Sequence, residues 1–347
     1  MIESTFYTTE RIKIHALKRM NDTGNEVILL LHGNASSSVF WKEIMTLMPD
    51  SYNLIAPDLR GYGKTEDKLI DATRGFDDQT EDVIAMMDFL SIEKFHVVGH
   101  SMAGGVIYSL LANFTERVLS ATLVDPVSPF GFGGTKGING EPIWDDFAGT
   151  GAGVVNPEFA RRMGEGDRSE EDPNASPRIV MNSFYWKPPF QSTEEEELLS
   201  GMLEQKISDK HYPGDPETSP NWPGVAPGKF GPVNAASPKY VQGLAQKMID
   251  APLKTRVLWV RGSDDQIVSN ESLFDIFTLG KMGLVPGYPG EKCCPPQPMV
   301  DQTRAVLEKY ANTGGSYEEV VIEETGHSPF IEKPEEFLQL VTKFLAQ

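Results

Sequence analysis

The chain has 347 residues, of which 39% are hydrophobic, so it can bury a sizeable core as one large domain with an insertion or as two domains. Its 31 Lys and Arg residues against 50 Asp and Glu residues give a net charge of −19, which repels phosphate backbones and anionic lipid headgroups. Nucleic acid and membrane surfaces are therefore excluded as expected partners.

The N-terminus, MIESTFYTTERIKIH, lacks the basic start and apolar run of a signal peptide. No window of the sequence approaches the roughly 18 consecutive apolar residues of a membrane span. We therefore expect a cytoplasmic protein.

The first elements predict a sheet. TFYTTERIKIHALKR alternates apolar and polar residues, which predicts an antiparallel hairpin at a sheet edge. Later apolar runs of strand length each end in Gly, Pro, Asp or His, and they occupy residues 26–33, 52–61, 95–101, 118–126, 255–265 and 317–327. Their continuous hydrophobicity indicates strands that are buried on both faces. The predicted fold class is α/β, with a mostly parallel central sheet flanked by helices.

Helical patterns separate these runs. TEDVIAMMDFLS repeats apolar residues at helical spacing, with Thr80 as the expected N-cap and Glu81 and Asp82 in the first turn. DQTRAVLEKYA and KPEEFLQLVTKFL, near the end of the chain, show the same spacing.

The rhythm changes between residues 127 and 250, where glycine and proline cluster, aromatic residues are frequent and strand-like runs vanish. We interpret 127–250 as an inserted cap or lid, and 1–126 with 251–347 as the core domain. A second irregular segment, 279–300, contains adjacent cysteines, Cys293 and Cys294, which cannot link distant parts of the chain and are expected to be free thiols.

The turn in FHVVGHSMAGG joins a strand pattern to a helix pattern at Ser101. A sharp strand-to-helix turn requires small residues two positions before and after it, and Gly99 and Ala103 meet that requirement. Such a turn exposes the serine hydroxyl at the carboxyl edge of the sheet and directs the amide of Met102 toward a bound substrate. A simple packing turn remains the alternative.

Two more sites follow later strands. Asp264 and Asp265 stand at the end of the 255–265 run, just after its apolar residues, and His327 stands at the end of the last run and before the terminal helix. Ser, then Asp, then His is the chain order in which hydrolases of this topology present nucleophile, orienting acid and base.

With these motifs in place, the sequence resembles the α/β-hydrolase fold superfamily, in its cap-bearing, esterase-like group. The resemblance rests on LLLHGNASSSVFW, IAPDLRGYGKTE, VVGHSMAGG and GSDDQIV with TGHSPFIEKPEEF. It implies that Ser101 is the nucleophile, His327 the general base and Asp265 the orienting acid, with Asp125 as the alternative acid.

The HGN turn is similar to the oxyanion segment of that superfamily, which implies that the amides of Asn34 and Met102 form the oxyanion hole. HGN near Trp41 also resembles haloalkane dehalogenases, but those enzymes need an aspartate where this chain has Ser101. Two departures from the superfamily pattern are Ala103 in place of glycine, and the 62 positions between Asp265 and His327.

The expected function is cleavage of an ester or lactone of a medium-sized, fairly apolar small molecule through an acyl-enzyme, with no metal or organic cofactor. C–C bond or amide hydrolysis on the same triad and a non-catalytic, receptor-like role stay open, as does a homo-oligomer. Six aromatic residues are candidates for the substrate pocket: Trp41, Phe184, Tyr185, Trp186, Phe190 and Trp222. For the five that lie in the predicted cap, packing in the core of the cap is the alternative.

Overall fold

The computed structural model describes residues 1–22, 24 and 26–347. The strands in this part of the chain are β1 (Glu3–Thr8), β2 (Lys13–Arg19), β3 (Glu26–Leu31), β4 (Tyr52–Pro57), β5 (Phe95–His100), β6 (Val118–Val124), β7 (Thr135–Lys136), β8 (Glu141–Pro142), β9 (Ile207–Ser208), β10 (Tyr212–Pro213), β11 (Pro216–Thr218), β12 (Val225–Pro227), β13 (Arg256–Gly262) and β14 (Ser316–Ile322). The α-helices are α1 (Lys42–Leu47), α2 (Asp77–Phe89), α3 (Ala103–Asn113), α4 (Pro157–Gly164), α5 (Pro177–Val180), α6 (Glu195–Leu203), α7 (Pro232–Ala235), α8 (Leu244–Asp250), α9 (Ile276–Lys281), α10 (Met299–Asn312), α11 (Pro329–Glu332) and α12 (Pro334–Leu345).

One large sheet organises the molecule, with strand order β1-β2-β4-β3-β5-β6-β13-β14. The hairpin β1–β2 is antiparallel and joins β4 in antiparallel register, whereas the pairs from β4 through β14 are parallel. The predicted fold class, the edge hairpin and the six predicted strands are therefore confirmed.

Successive residues of the central strands supply two separate cores, which explains their continuous hydrophobicity. In β3, Leu29 and Leu31 pack into the core beneath α2, α3, α8 and α10, whereas Ile28 and Leu30 pack into the core beneath α1 and α12. Each of the two cores removes one face of the sheet from water, so the sheet is the middle layer of three.

The start of α2 differs from the prediction. The helix begins at Asp77, so the acids in its first turn are Asp77 and Asp78, and Thr80 lies inside it with its hydroxyl donating to the carbonyl of Phe76 at 2.9 Å. The expectation that Thr80 is the N-cap was wrong, because acids one turn earlier already occupy the favourable end of the helix dipole.

Residues 127–250 contribute no strand to the large sheet; in this described stretch they form short helices and two-stranded pairs. Its last helix, α8, packs against α3 beside the sheet. The division into a core and a cap at 127–250 stays a prediction. No helix in the described part of the chain is long and apolar enough to cross a membrane.

The carboxyl ends of the parallel strands meet at one edge, where several turns have unusual backbone conformations. Positive φ angles at non-glycine residues occur after β3 at Ala35 (44°), after β5 at Ser101 (55°) and after β6 at Asp125 (41°). Because strained conformations of this kind persist where the surroundings impose them, this edge is the first place to look for a functional site.

Candidate active site

Ser101 occupies the turn between β5 and α3. A Cβ at Gly99 would lie 2.7 Å from Cδ1 of Ile107 and 3.3 Å from the Cβ and the carbonyl oxygen of Ala103, so a side chain at this position would crowd the helix. The amide of Ser101 donates to the carbonyl of Val124 at 2.8 Å, which ties the turn to β6. These contacts hold the serine in its left-handed conformation, at the lining of a cavity.

Asp265 and His327 are brought together from two different strands. Nδ1 of His327 lies 2.8 Å from Oδ2 of Asp265, and both side chains are almost completely buried. The other oxygen, Oδ1, accepts the backbone amides of Ile267 at 2.7 Å and Val268 at 3.1 Å. A proton on Nδ1 facing the carboxylate leaves Nε2 of the neutral ring as a proton acceptor.

His100 links the elbow to this pair. Its Nε2 donates to the backbone carbonyl of His327 at 2.7 Å, and the two rings lie 4.6 Å apart between centroids. Burial lowers the pKa of His100 well below its ordinary value, so the ring is a neutral structural donor. Within the described residues the hydroxyl of Ser101 makes no hydrogen bond. The hydrogen bond that joins the turn at Ser101 to His327 is made by His100, which precedes Ser101 in the chain.

The loop after β3 is held by a buried histidine. His32 donates from Nδ1 to the carbonyl of Gly33 at 2.8 Å and accepts the amide of Leu59 at Nε2, at 3.0 Å. Burial lowers the pKa of His32, in agreement with the neutral ring that these two bonds require.

The backbone amides of Asn34 and Met102 donate to no acceptor within residues 1–22, 24 and 26–347. Both residues line the same cavity as Ser101. The carbonyl of Ala35 accepts the hydroxyl of Tyr185 at 3.0 Å, and the side chain of Asn34 accepts that of Tyr62 at 2.8 Å, so two tyrosines hold the loop in place. Two free N–H groups near a serine can stabilise an oxyanion.

The cavity has a volume of about 420 Å³ and a mostly apolar lining. Among its described lining residues, Asp275 is the single member of the Asp, Glu, Lys, Arg and His types. Burial raises the pKa of Asp275 to about 6, and its oxygens accept the backbone amides of Phe277 and Gln297 at 3.2 and 2.9 Å. No cationic side chain is thus available among these lining residues to pair with a bound anion.

The aromatic candidates fall into two groups. Phe184 and Tyr185, in the π-helical turn Met181–Tyr185, lie in the cavity lining, and the ring of Phe184 packs edge-on against Phe274 at 5.1 Å.

The other four aromatic candidates, Trp41, Trp186, Phe190 and Trp222, lie outside that lining. Trp41 is fully buried and stacks on Phe330 at 4.2 Å beneath the sheet. Trp186 packs against Phe190 at 5.9 Å, and Trp222 donates its indole N–H to a backbone carbonyl of the proline-rich insertion at 2.9 Å. The positions of these side chains are decided by packing against neighbouring elements, and the spacing of apolar residues in the sequence does not predict such contacts.

Asp125, the alternative acid, is buried at the end of β6. An oxygen of Asp125, an oxygen of Asp265 and a ring nitrogen of His327 all lie within 4.8 Å of one another. Within the described residues, these three side chains also have a spacing that would suit a shared metal ion. The hydrogen bond between Asp265 and His327 already accounts for the proximity of those two groups. Nδ1 of His327 bonds to Asp265 rather than Asp125.

Glu332 was missed from the sequence. Its carboxylate accepts the amide of Gly326, beside His327, at 2.6 Å and the amide of Lys187 at 2.9 Å, so it ties the histidine loop to the 127–250 segment. A Cβ on Gly326 would meet the backbone of Trp186 at 2.7 Å, which shows how closely the two segments approach. The signal available was an acid five positions after His327, directly before the helix that closes the chain.

The sheet and the strand-to-helix turn at Ser101 are those of the α/β-hydrolase class. A family model described as alpha/beta hydrolase fold matches residues 26–276. The chain belongs to this family.

Curated relatives match only part of the chain. It is 39% identical over 114 residues to the dihydrolipoyllysine-residue acetyltransferase component of the acetoin cleaving system of Cupriavidus necator, covering 32% of this chain and 28% of the relative. It is 31% identical over 112 residues to the 2-hydroxy-6-oxo-6-phenylhexa-2,4-dienoate hydrolase of Burkholderia cepacia, covering 31% of this chain and 39% of the relative. The matched part thus spans less than half the length of either relative.

Solved structures match over the whole chain at low identity. An esterase from Exiguobacterium antarcticum has a TM-score of 0.63 at 14% identity, covering 99% of this chain and 100% of the other. The enol-lactonase from Burkholderia xenovorans LB400 has a TM-score of 0.59 at 16% identity, with the same coverage. At these identities the likeness shows the fold alone.

The placement of the aromatic residues predicts opposite effects for two truncations. Trp41→Ala should lower the free energy of unfolding by about 3–5 kcal/mol, because it opens a cavity in the core. Phe184→Ala should cost less stability and should instead change the binding of apolar ligands. Urea unfolding and ligand titration of both variants would show this; equal losses of stability would contradict the separation of core and lining.

Glu332 predicts a pH-dependent stability. Burial raises its pKa from 4.5 to about 7, so the folded state binds this proton more tightly than the unfolded state does. Its contribution to stability is therefore complete below pH 4.5 and is lost as the pH rises to about 7. Glu332→Gln should remove this slope, so its free energy of unfolding should improve relative to wild type between pH 5 and pH 8, the range over which this pKa of about 7 is crossed.

The matched control is Glu336→Gln in α12, whose side chain is 52% exposed. It should leave the slope of wild type unchanged. Parallel pH profiles for wild type and Glu332→Gln would show that Glu332 does not titrate differently in the two states.

Proposed function

We propose that this protein is a serine hydrolase that cleaves an ester or lactone of a medium-sized, apolar small molecule. The observation that carries the proposal is the hydrogen bond of 2.8 Å between His327 and Asp265, next to an elbow whose serine lines an apolar cavity. The free amides of Asn34 and Met102 support the same reaction, because acyl transfer develops negative charge on the carbonyl oxygen.

The proposed reaction has two steps. In the first, Oγ of Ser101 attacks the carbonyl carbon while Nε2 of His327 takes its proton, the amides of Asn34 and Met102 hold the oxyanion, and the alcohol leaves with the proton from His327. In the second, water attacks the acyl-enzyme, again giving its proton to His327, and the carboxylic acid is released. Asp265 keeps the ring of His327 oriented and stabilises its protonated form.

The charge of the cavity separates this function from one alternative. A dienoate, the substrate type in the name of the Burkholderia cepacia relative, carries a carboxylate. Burying a carboxylate without a partner costs several kcal/mol, and the one ionisable lining carboxyl, Asp275, would repel it. We therefore favour uncharged esters and lactones over C–C cleavage of dienoates.

The nucleophile can be tested without knowing the substrate. A fluorophosphonate should add one phosphonyl group to the wild-type protein and none to Ser101→Ala, as measured by intact mass. The control is Ser128→Ala, another buried serine, outside the lining of the cavity, which should be labelled like wild type. An unlabelled wild-type protein would instead favour a receptor-like role.

Substrate charge can be tested with a matched pair. The methyl ester of mono-4-nitrophenyl succinate should be hydrolysed with a kcat/KM about 100-fold higher than the free acid, since only the acid must bury a carboxylate. Release of nitrophenol at pH 8 gives both values. Equal values would show that the cavity does not select against an anion.

A further inference from the structure

The second acid beside the triad, Asp125, has no role in the reaction described above. It is buried directly after β6 with φ of 41°, a conformation that is costly for a residue with a side chain. Its amide donates to the carbonyl of Val260 at 3.0 Å, so the strained turn is held against β13. A strained, buried acid at this edge calls for an explanation.

Two carboxyl groups cannot both be ionised in such a place without strong repulsion. An oxygen of Asp125 lies within 4.8 Å of an oxygen of Asp265, and a hydrogen bond between two carboxyl groups at such close range requires a proton on one of them. The pair therefore shares one proton, as carboxyl pairs in low-dielectric sites do.

The surrounding donors decide which acid holds that proton. Asp265 accepts three hydrogen bonds, from two backbone amides and from His327, so both of its oxygens already serve as acceptors. Among the described residues, Asp125 accepts one backbone amide, that of Gly262, at 3.1 and 3.3 Å from its two oxygens. The nearby cation, Arg261, is already paired with Glu319 at 2.8 Å. Burial, followed by the charge of Asp265, raises the pKa of Asp125 well above its ordinary value.

We propose that Asp125 is a neutral, hydrogen-bond-donating positioning residue, which holds the carboxylate of Asp265 in its orientation toward His327. It acts through Asp265 and does not touch the substrate. This inference rests on the proposed function, because it assigns Asp125 to the same triad. It also differs from the role of alternative acid, which would require Asp125 to be ionised and to face His327.

Two variants of Asp125 separate these roles. Asp125→Ala removes the donor and should lower kcat about 10- to 100-fold with little change in KM, because the acid behind His327 loses its fixed orientation. It should also move the acid limb of the kcat/KM profile to higher pH. Without the hydrogen bond from Asp125, the carboxylate of Asp265 holds more negative charge and stabilises protonated His327 more strongly. Asp125→Asn keeps a donor and should recover most of the lost kcat and restore the acid limb.

Asp265→Asn provides the reference for a triad acid, with an expected loss of about 10⁴ in kcat. Asp264→Asn is the matched control, an acid beside Asp265 that pairs with Lys187 at 3.1 Å and has no contact with the pair. If Asp125→Asn loses as much as Asp265→Asn, Asp125 is an ionised acid and the proposal is overturned. An unchanged kcat and pH profile in Asp125→Ala would also overturn it.

A readout that needs no substrate distinguishes failure of this inference from failure of the proposed function. The infrared difference spectrum of wild type minus Asp125→Asn at neutral pH should contain the C=O stretch of a protonated carboxylic acid, which shifts in D₂O. Its absence would overturn the assignment of the proton to Asp125. An unlabelled Ser101 in the fluorophosphonate experiment would overturn the proposed function, and the carboxylic acid signal would still be expected.

Discussion

Burial of both faces of the parallel sheet is the constraint on which the rest of this structure depends. Helices cover each face, and the six strands β3, β4, β5, β6, β13 and β14 run in one direction, so their carboxyl ends lie at a single edge. Residues that follow different strands and lie far apart in the chain, from Ala35 to His327, thereby come close to one another. The chemistry of the site follows from this geometry, since each functional side chain stands on the first few residues after a strand.

The polar groups at this edge are buried, so each must be hydrogen-bonded in a defined way. His32 and His100 use their ring nitrogens on backbone groups and remain neutral. The oxygens of Asp265 are occupied by two amides and a histidine. Within the described residues the amides of Asn34 and Met102 have no acceptor, and donors left free beside a serine are what an acyl-transfer site requires.

The 127–250 segment acts on the site through shape and contact rather than through charge. Its π-helical turn presents Phe184 and Tyr185 to the cavity, and the hydroxyl of Tyr185 also supports the loop that contains Asn34. Glu332 fastens the same segment to the loop of His327. The wall of the cavity and the positions of two loops beside it are therefore coupled through a few hydrogen bonds.

The sequence alone determined the sheet and the order of its chemistry, because buried strands have a continuous apolar pattern and an elbow demands small residues around its serine. Local pattern was enough for β3, β5 and β13 and for the positions of Ser101, Asp265 and His327 after strands. It was not enough for Thr80, where acids one turn earlier start α2, nor for Trp41, which packs under the sheet. Which acid faces His327, which aromatic residues line the cavity, and the contacts of Asp125 and Glu332 were decided only by tertiary structure, because they depend on distances between segments far apart in the chain.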